Sequence, residues 1–365
     1  MNIKDKNLYY IGGVVRDEIL GLDSVDVDLT YDGDAIEFAK TIDGAKILKI
    51  NQSFGTVKIE LDGQQTDIAS TRSESYPQKG HLPVVDKIGC DLKEDVFRRD
   101  FSINAMAKST LTGEIVDYTG GMADIKNKVL RVLHDNSFID DPTRILRGLK
   151  FAVRFGFELE EHTQKLQQDY LNNINYDMSY KRLKKELIET FNLNSVRAFE
   201  RFIEQKIYKL ISPLDFNSPE LKEYSLLINR YKPNNVWIMY VGLLPDISSL
   251  PLTKTEKQII DGYKNLIALK IDEKFSKLEL YNAFKNVPIE SVLMYSTINA
   301  AVVNDYMENL RGVNLLISGK DLQELGIPPS ASYQTCFEYI LAKKLDNPDY
   351  SLSEEISLAK EYFNL

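Results

Sequence analysis

The chain has only two cysteines in 365 residues, Cys90 and Cys336. They lie far apart and lack metal-ligand spacing, which excludes a disulfide framework and a thiolate zinc site. Histidine is equally scarce, with His81, His134 and His162 alone. A histidine-based nucleophilic triad or a multi-histidine metal centre is hard to build from three, so carboxylate–metal chemistry is favoured by elimination. No stretch approaches the roughly 20 apolar residues of a membrane span. The N-terminal Met-Asn-Ile-Lys-Asp-Lys has no apolar signal core, so a cytoplasmic protein without a membrane partner is expected. An excess of positive charge is also missing. The 45 Lys and Arg against 54 Asp and Glu leave a net charge of −9, which argues against a generic nucleic-acid binder.

A globular composition, 43% hydrophobic and 27% charged, over this length allows two or three domains with their own cores. The most informative stretch is residues 11–32. Gly12 and Gly13 let the backbone approach a ligand that a Cβ would exclude. Arg16 and an N–H-rich turn opening a helix over about 14–20 suit a phosphate. Asp26 and Asp28 stand two apart on a strand expected over about 26–31, and so point to one face. Carboxylates held side by side repel each other, and a divalent metal with oxygen ligands, typically Mg²⁺, relieves this. A phosphate cradle beside a metal-binding carboxylate pair describes a site for nucleotidyl transfer.

Asp34 caps a helix expected over 35–41. Strand-like runs at 56–61 and 64–70 flank Asp62-Gly63, a strong hairpin signal. In the second run Asp67 can present a third carboxylate to the face of Asp26 and Asp28. Residues 71–93 read as a long polar loop. After it, Arg98 and Arg99 suit triphosphate oxygens, ahead of a helical run. Asp100 and Asn104 would fall on one helical face there and hold a ribose. Helical patterns dominate beyond about residue 136, with a second, softer boundary near Ser212-Pro213. Arg144, Arg147, Lys150 and Arg154 recur at helical spacing among apolar residues, which reads as an amphipathic helix with a phosphate-facing side. Lys181, Arg182, Lys184 and Lys185 form a second basic cluster.

These motifs, in this order, resemble the class II tRNA nucleotidyltransferase and bacterial poly(A) polymerase family across most of the chain. Gly12-Gly13 with Asp26-Val27-Asp28 is similar to the family's metal-binding motif. Asp67 with the segment from Arg72 to Pro77 looks like its third-carboxylate strand and following loop. Arg98–Ala107 resembles the ribose and triphosphate motif. The run from Asp140 to Arg147 resembles the motif that selects the incoming base, which sets Asp141, Arg144 and Arg147 beside the nucleotide. Ser179–Leu187 and Ser318–Pro328 resemble the segments further along. Asp140 stands where Glu is frequent, Lys181 where Glu is common, and Pro328-Pro329 replaces the usual Pro-Gly.

The resemblance implies an α+β protein. An N-terminal nucleotidyltransferase head with a mixed β-sheet and helices (1–135) is followed by an all-α neck (136–212) and an all-α body and tail (213–365). It implies addition of CCA, or part of it down to the terminal A alone, to tRNA 3′ ends from CTP and ATP with Mg²⁺. Poly(A) synthesis from ATP is the alternative. Asp26 and Asp28 would hold the metal, and Asp67 would orient or deprotonate the attacking hydroxyl. Lys150, Arg154 and Arg182 would contact the acceptor region of the RNA. The sequence fixes no oligomeric state.

Base choice follows from chemistry as well. Adenine and cytosine each show an amino donor beside a ring-nitrogen acceptor. Asp141 can accept from the first and Arg144, three residues on, can donate to the second. Guanine and uracil reverse the pattern, leaving buried polar groups unpaired at about 1–3 kcal/mol each. Asp141, directly before Pro142, also suits a helix N-cap. Both roles are compatible if Asp140 caps the helix or supports Arg144.

Overall fold

The computed structural model describes residues 3–24, 27–174, 177–193, 196–272 and 274–365. Asp26 lies outside the described residues. The chain divides into two compact units, residues 1–215 with 248–251, and 216–247 with 252–365. No helix among the described residues is long and apolar enough to cross a membrane.

The first unit is built on a seven-stranded sheet. Its strands are β1 (Leu8–Ile11), β2 (Asp28–Tyr31), β3 (Lys46–Asn51), β4 (Thr56–Leu61), β5 (Gln64–Ser70), β8 (Met106–Ser109) and β9 (Ile115–Asp117). They run in the order β3-β4-β5-β2-β1-β8-β9. Only β2 and β5 pair in parallel; the other pairs are antiparallel, so the sheet is mixed. The expected hairpin forms across Asp62-Gly63, both at positive φ as a tight two-residue turn demands. Helix α1 (Gly13–Leu20) follows β1, and α2 (Ala35–Lys40) follows β2. The Asp34 side chain accepts from Ile36 N and Glu37 N, a cap worth about 1 kcal/mol. Ala35, Ile36 and Ala39 then bury against Leu8, Leu29, Val57, Ile59 and Ile68. A second cluster joins Ile11, Ala105 and Ala107 to Leu92 and Val96 of α3 (Leu92–Phe97).

Two local expectations are corrected. Within the segment read as a loop, β6 (Arg72–Ser75) and β7 (Val84–Ile88) form a two-stranded antiparallel ribbon. Ion pairs anchor it instead of an apolar stripe, with Arg72 and Arg98 both bound to Glu74. The residues after Arg99 are not an α-helix either. A single 3₁₀ turn, Ser102–Asn104, leads straight into β8, because Ala105 to Ala107 fill the sheet's interior.

Helices α4 (Gly121–Asn127), α5 (Ser137–Asp140), α6 (Thr143–Phe155), α7 (Glu161–Asn172), α8 (Tyr180–Phe191) and α9 (Val196–Glu204) complete the unit. Strand β10 (Val129–Leu130) pairs in parallel with β11 (Glu158–Leu159), tying the segment before residue 136 to the helices after it. On α6 the buried side is Ile145, Leu146, Leu149 and Ala152. Its Arg147, Lys150 and Arg154 follow another side at helical spacing.

The second unit is helical: α10 (Lys222–Tyr231), α11 (Val236–Val241), α12 (Lys254–Leu269), α13 (Lys277–Phe284), α14 (Ile289–Met294), α15 (Ala300–Asp305), α16 (Gly319–Glu324), α17 (Ser332–Asp346) and α18 (Leu352–Phe363). Capping boxes start α12, α13, α16 and α18, each satisfying two otherwise orphaned backbone donors. Near the C-terminus a buried ion pair, Lys344–Glu355, holds α17 to α18. The same carboxylate accepts from Leu316 N and Ile317 N.

Candidate active site

A cleft of about 660 Å³ opens in the first unit where β1, α1, β2, α6 and α8 converge. Nine cationic and six anionic side chains line it, a local positive excess in a chain of net charge −9. At one end, Gly12 takes φ +75° at the turn from β1 into α1. A Cβ there would be strained and would stand 3.3 Å from Arg99 Nη1. Arg16 projects from the first turn of α1 and is buried. It donates from Nε to Asp17 (2.8 Å) and from Nη1 to Asn104 Oδ1 (2.5 Å), and it lies over the rings of Phe151 and Phe155. Burial pushes its guanidinium below the ordinary value despite Asp17.

The two adjacent arginines divide their work. Arg98 is consumed by the protein, donating to Asp95, Glu74 and the Arg72 carbonyl. Arg99 donates from Nη2 to Asp95 (3.0 Å), while its buried Nε has no partner among the described residues. An N–H group so placed at the edge of a cleft is a donor held ready for an oxyanion. Asp100 accepts from Arg147 Nε and Nη2 (both 2.7 Å), from Asn104 Nδ2 and from Phe101 N. Burial alone would raise this carboxyl; Arg147 and Asn104 override it and hold it at about 2.

Asp28 is exposed at the start of β2 and lines the cleft. Its parallel neighbour in register is Asp67 on β5, so the two carboxylates share one face of the sheet. Asp67 does not line the cleft; it stays exposed and pairs with Lys58 at 3.1 Å. Among the described residues no group of three or more His, Cys, Asp and Glu side chains converges as a metal cage.

At the other end lie Asp141 and Arg144, both buried. Asp141 Oδ1 accepts from Thr143 N (3.1 Å) and Thr143 Oγ1 (2.6 Å), fixing the first turn of α6. Its Oδ2 accepts from Arg182 Nη2 at 2.5 Å. The Arg144 backbone N–H donates to the Asp141 carbonyl (3.1 Å), but its guanidinium makes no bond to the Asp141 carboxylate among the described residues. The guanidinium donates to the Arg98 carbonyl (2.8 Å) and Ser137 Oγ (3.1 Å), and stands 3.4 Å from both His134 Nε2 and Tyr76 OH. Asp140 makes no direct bond to Arg144; its Oδ2 lies 4.0 Å from His134 Nδ1.

The basic stripe differs from its sequence reading. Lys150 is tied to Glu186 (2.9 Å) and Glu189 (2.6 Å) of α8, and Arg147 to Asp100 and Glu186. Arg182, read as an RNA contact, instead grips Asp141 and the His81 carbonyl. Arg154 alone of these is about half exposed, 3.7 Å from Asp17. The neutralising carboxylates were missed. The signal was present: Arg182, Glu186 and Glu189 follow at spacings of four and three, one face of α8. His134 carried no such signal.

A glycine turn with a free arginine donor, a carboxylate strand end and an Asp–Arg pair across one cleft define a nucleotidyltransferase-type head. Residues 8–131 match the poly A polymerase head domain. An A-adding tRNA nucleotidyltransferase of Halalkalibacterium halodurans is 30% identical, the match covering 98% of this chain and 89% of that protein. A CCA-adding enzyme of Staphylococcus saprophyticus is 28% identical over 87% and 84% of the two chains. The solved Thermotoga maritima CCA-adding enzyme complexed with tRNA-CCA superposes with a TM-score of 0.78 at 26% identity, over 98% of this chain and 91% of that one. The chain belongs to the family of A-adding and CCA-adding tRNA nucleotidyltransferases.

Proposed function

We propose that this protein adds the 3′-terminal nucleotides of tRNA, CCA or part of it, from CTP and ATP with release of pyrophosphate. The observation that carries the reading is the single cleft that joins Gly12, Arg99 and Asp28 at one end to Asp141 and Arg144 at the other. Relatives named for A addition and CCA addition, and neighbours solved with ATP and with CTP, support it.

The donor set fits Mg²⁺. Asp28 and Asp67 are exposed, hard oxygen donors side by side in register, and Asp26 stands two residues before Asp28. Asp26 and Asp28 would hold the ion, which when bound polarises phosphoryl oxygens and offsets charge on the leaving group. Asp67 orients or deprotonates the RNA 3′-hydroxyl. Arg99 Nε and the Gly12-Gly13 turn bind the triphosphate. Asn104 and Asp100, braced by Arg16 and Arg147, face the ribose. Asp141 accepts from the amino group of adenine or cytosine and Arg144 donates to the ring nitrogen.

RNA phosphates meet the outer edge of this wall at Arg154, at the exposed Lys181 and Lys185, and at Lys150 once its carboxylates release it. Sequencing the products made on tRNA lacking its 3′ end, with ATP and CTP supplied singly and together, tests the reading. Addition stopping at CCA or at A is expected. A long adenosine tail overturns it in favour of a poly(A) polymerase built on the same head.

A further inference from the structure

Arg144 is a buried cation whose guanidinium pairs with no carboxylate among the described residues. Its four polar neighbours are the Arg98 carbonyl, Ser137 Oγ, Tyr76 OH and His134 Nε2, each uncharged while the imidazole is neutral. Tyr76 keeps its proton, because burial raises its hydroxyl above the ordinary value. Of the four, His134 alone can gain positive charge between about pH 5 and 8.

We infer that His134 is a positioning residue for nucleotide selection: neutral, it accepts from Arg144 through Nε2, and protonated, it releases and repels that guanidinium. The inference rests on the reading that Arg144 reads the base edge.

The geometry requires the tautomer with its proton on Nδ1, which faces Asp140 Oδ2 at 4.0 Å. The other charged groups around the ring have known places. Arg144 approaches from α6. Asp140 comes from α5 and has Lys79 of the β6–β7 connection near it. Asp135 precedes α5 and is itself paired with His162 of α7 at 2.8 Å. Burial and Arg144 press His134 toward the neutral form, and Asp140 and Asp135 press the other way. The net direction is downward from 6.5, and burial also weakens Asp140 as a counter-ion by raising its carboxyl. His134 therefore takes up its proton at a lower pH than an ordinary imidazole. A cation at hydrogen-bond distance from a buried guanidinium has lost its acceptor lone pair and gained a like charge.

The readout is the ratio of kcat/KM for ATP over GTP, and for CTP over UTP, on full-length protein between about pH 5 and 8. A ratio cancels pH effects on the chemical step and on the phosphate groups the nucleotides share. Wild-type selectivity should be flat at neutral pH and fall about tenfold toward the acid end. His134→Gln keeps a neutral acceptor that does not titrate, so its selectivity should be flat throughout. Nitrogen-15 spectra of the imidazole should show the Nδ1–H tautomer at pH 7. A His134→Gln profile that falls like wild type, or an Nε2–H tautomer, overturns the inference. Arg144→Ala separates the two claims. If it leaves the ratios intact, the base-edge reading fails and this inference with it. If it collapses them while His134→Gln still follows the wild-type profile, only the role of His134 falls.

Discussion

Replacing Asp100 with asparagine keeps an acceptor for Asn104 Nδ2 and Phe101 N but removes the charge that Arg147 grips with two nitrogens. The carboxyl sits at about 2 in the folded protein against 3.8 for the free side chain. That depression corresponds to about 2 kcal/mol of stability held by the ionised form. The unfolded chain takes up its proton near 3.8 and the folded chain only near 2, so the contribution is complete above 3.8 and is lost as pH falls through about 2. Asp100→Asn should therefore cost the first unit about 2 kcal/mol at neutral pH, and wild type and variant should converge below about pH 2. Arg147 has a fallback in Glu186 Oε1 at 3.6 Å, which can only reduce the loss. Trp237, the one tryptophan, lies in the second unit, so its fluorescence would follow the wrong transition. Hydrogen exchange of peptides covering α6 in a urea series reads the right one. A loss below about 0.5 kcal/mol, the range of ordinary surface changes, would refute the account of this pair.

Other outcomes follow from the same cleft. Asp28→Ala should abolish nucleotide addition while leaving the circular dichroism spectrum unchanged, and Asp67→Ala should be severe but milder; pyrophosphate release near the wild-type rate in Asp28→Ala would sink the metal assignment. Arg144→Ala should relax discrimination among the four nucleotides more than it weakens tRNA binding, as measured by single-nucleotide incorporation beside a filter-binding assay. Glu189→Gln should free Lys150 from one of its two carboxylates. Tighter tRNA binding should result, with a log–log salt slope steeper by up to about one unit; an unchanged slope would mean Lys150 does not meet phosphate.

The fold was readable where local chemistry and tertiary packing agree. Asp62-Gly63 needs positive φ at both positions, and alternation on either side aims one face inward, so the β4–β5 hairpin follows from sequence alone. Asp34 announces α2 in the same way. Legibility failed where they disagree. Ala105, Met106 and Ala107 are good helix formers, yet Ala105 leads straight into β8, where Met106 pairs with Asp117 and Ala107 with Ile11 on one side and Val116 on the other. The β6–β7 ribbon is held by Arg72, Glu74 and Arg98, whose alternation is one of charge, and a reading tuned to apolar periodicity sees only a polar loop.

The site divides along a similar line. Residues proposed to approach a ligand directly had to be particular types at particular spacings; Gly12, Arg99, Asp100, Asp141 and Arg144 were singled out for that reason, and all five line one cleft. What each is paired with in the absence of ligand was not. A stripe of four cations on one helix reads as a free phosphate surface until the facing helix is known. Here α8 supplies Glu186 and Glu189 against Lys150 and Arg147, and spends Arg182 on Asp141. Partnering across helices depends on a crossing that no local spacing encodes. The consequence is physical: a cation already held by a carboxylate gives RNA only the difference between two ion pairs. On the proposed reading, in which tRNA meets this wall, affinity is then set by how loosely the carboxylates hold their partners, and not by how many lysines and arginines the sequence places there.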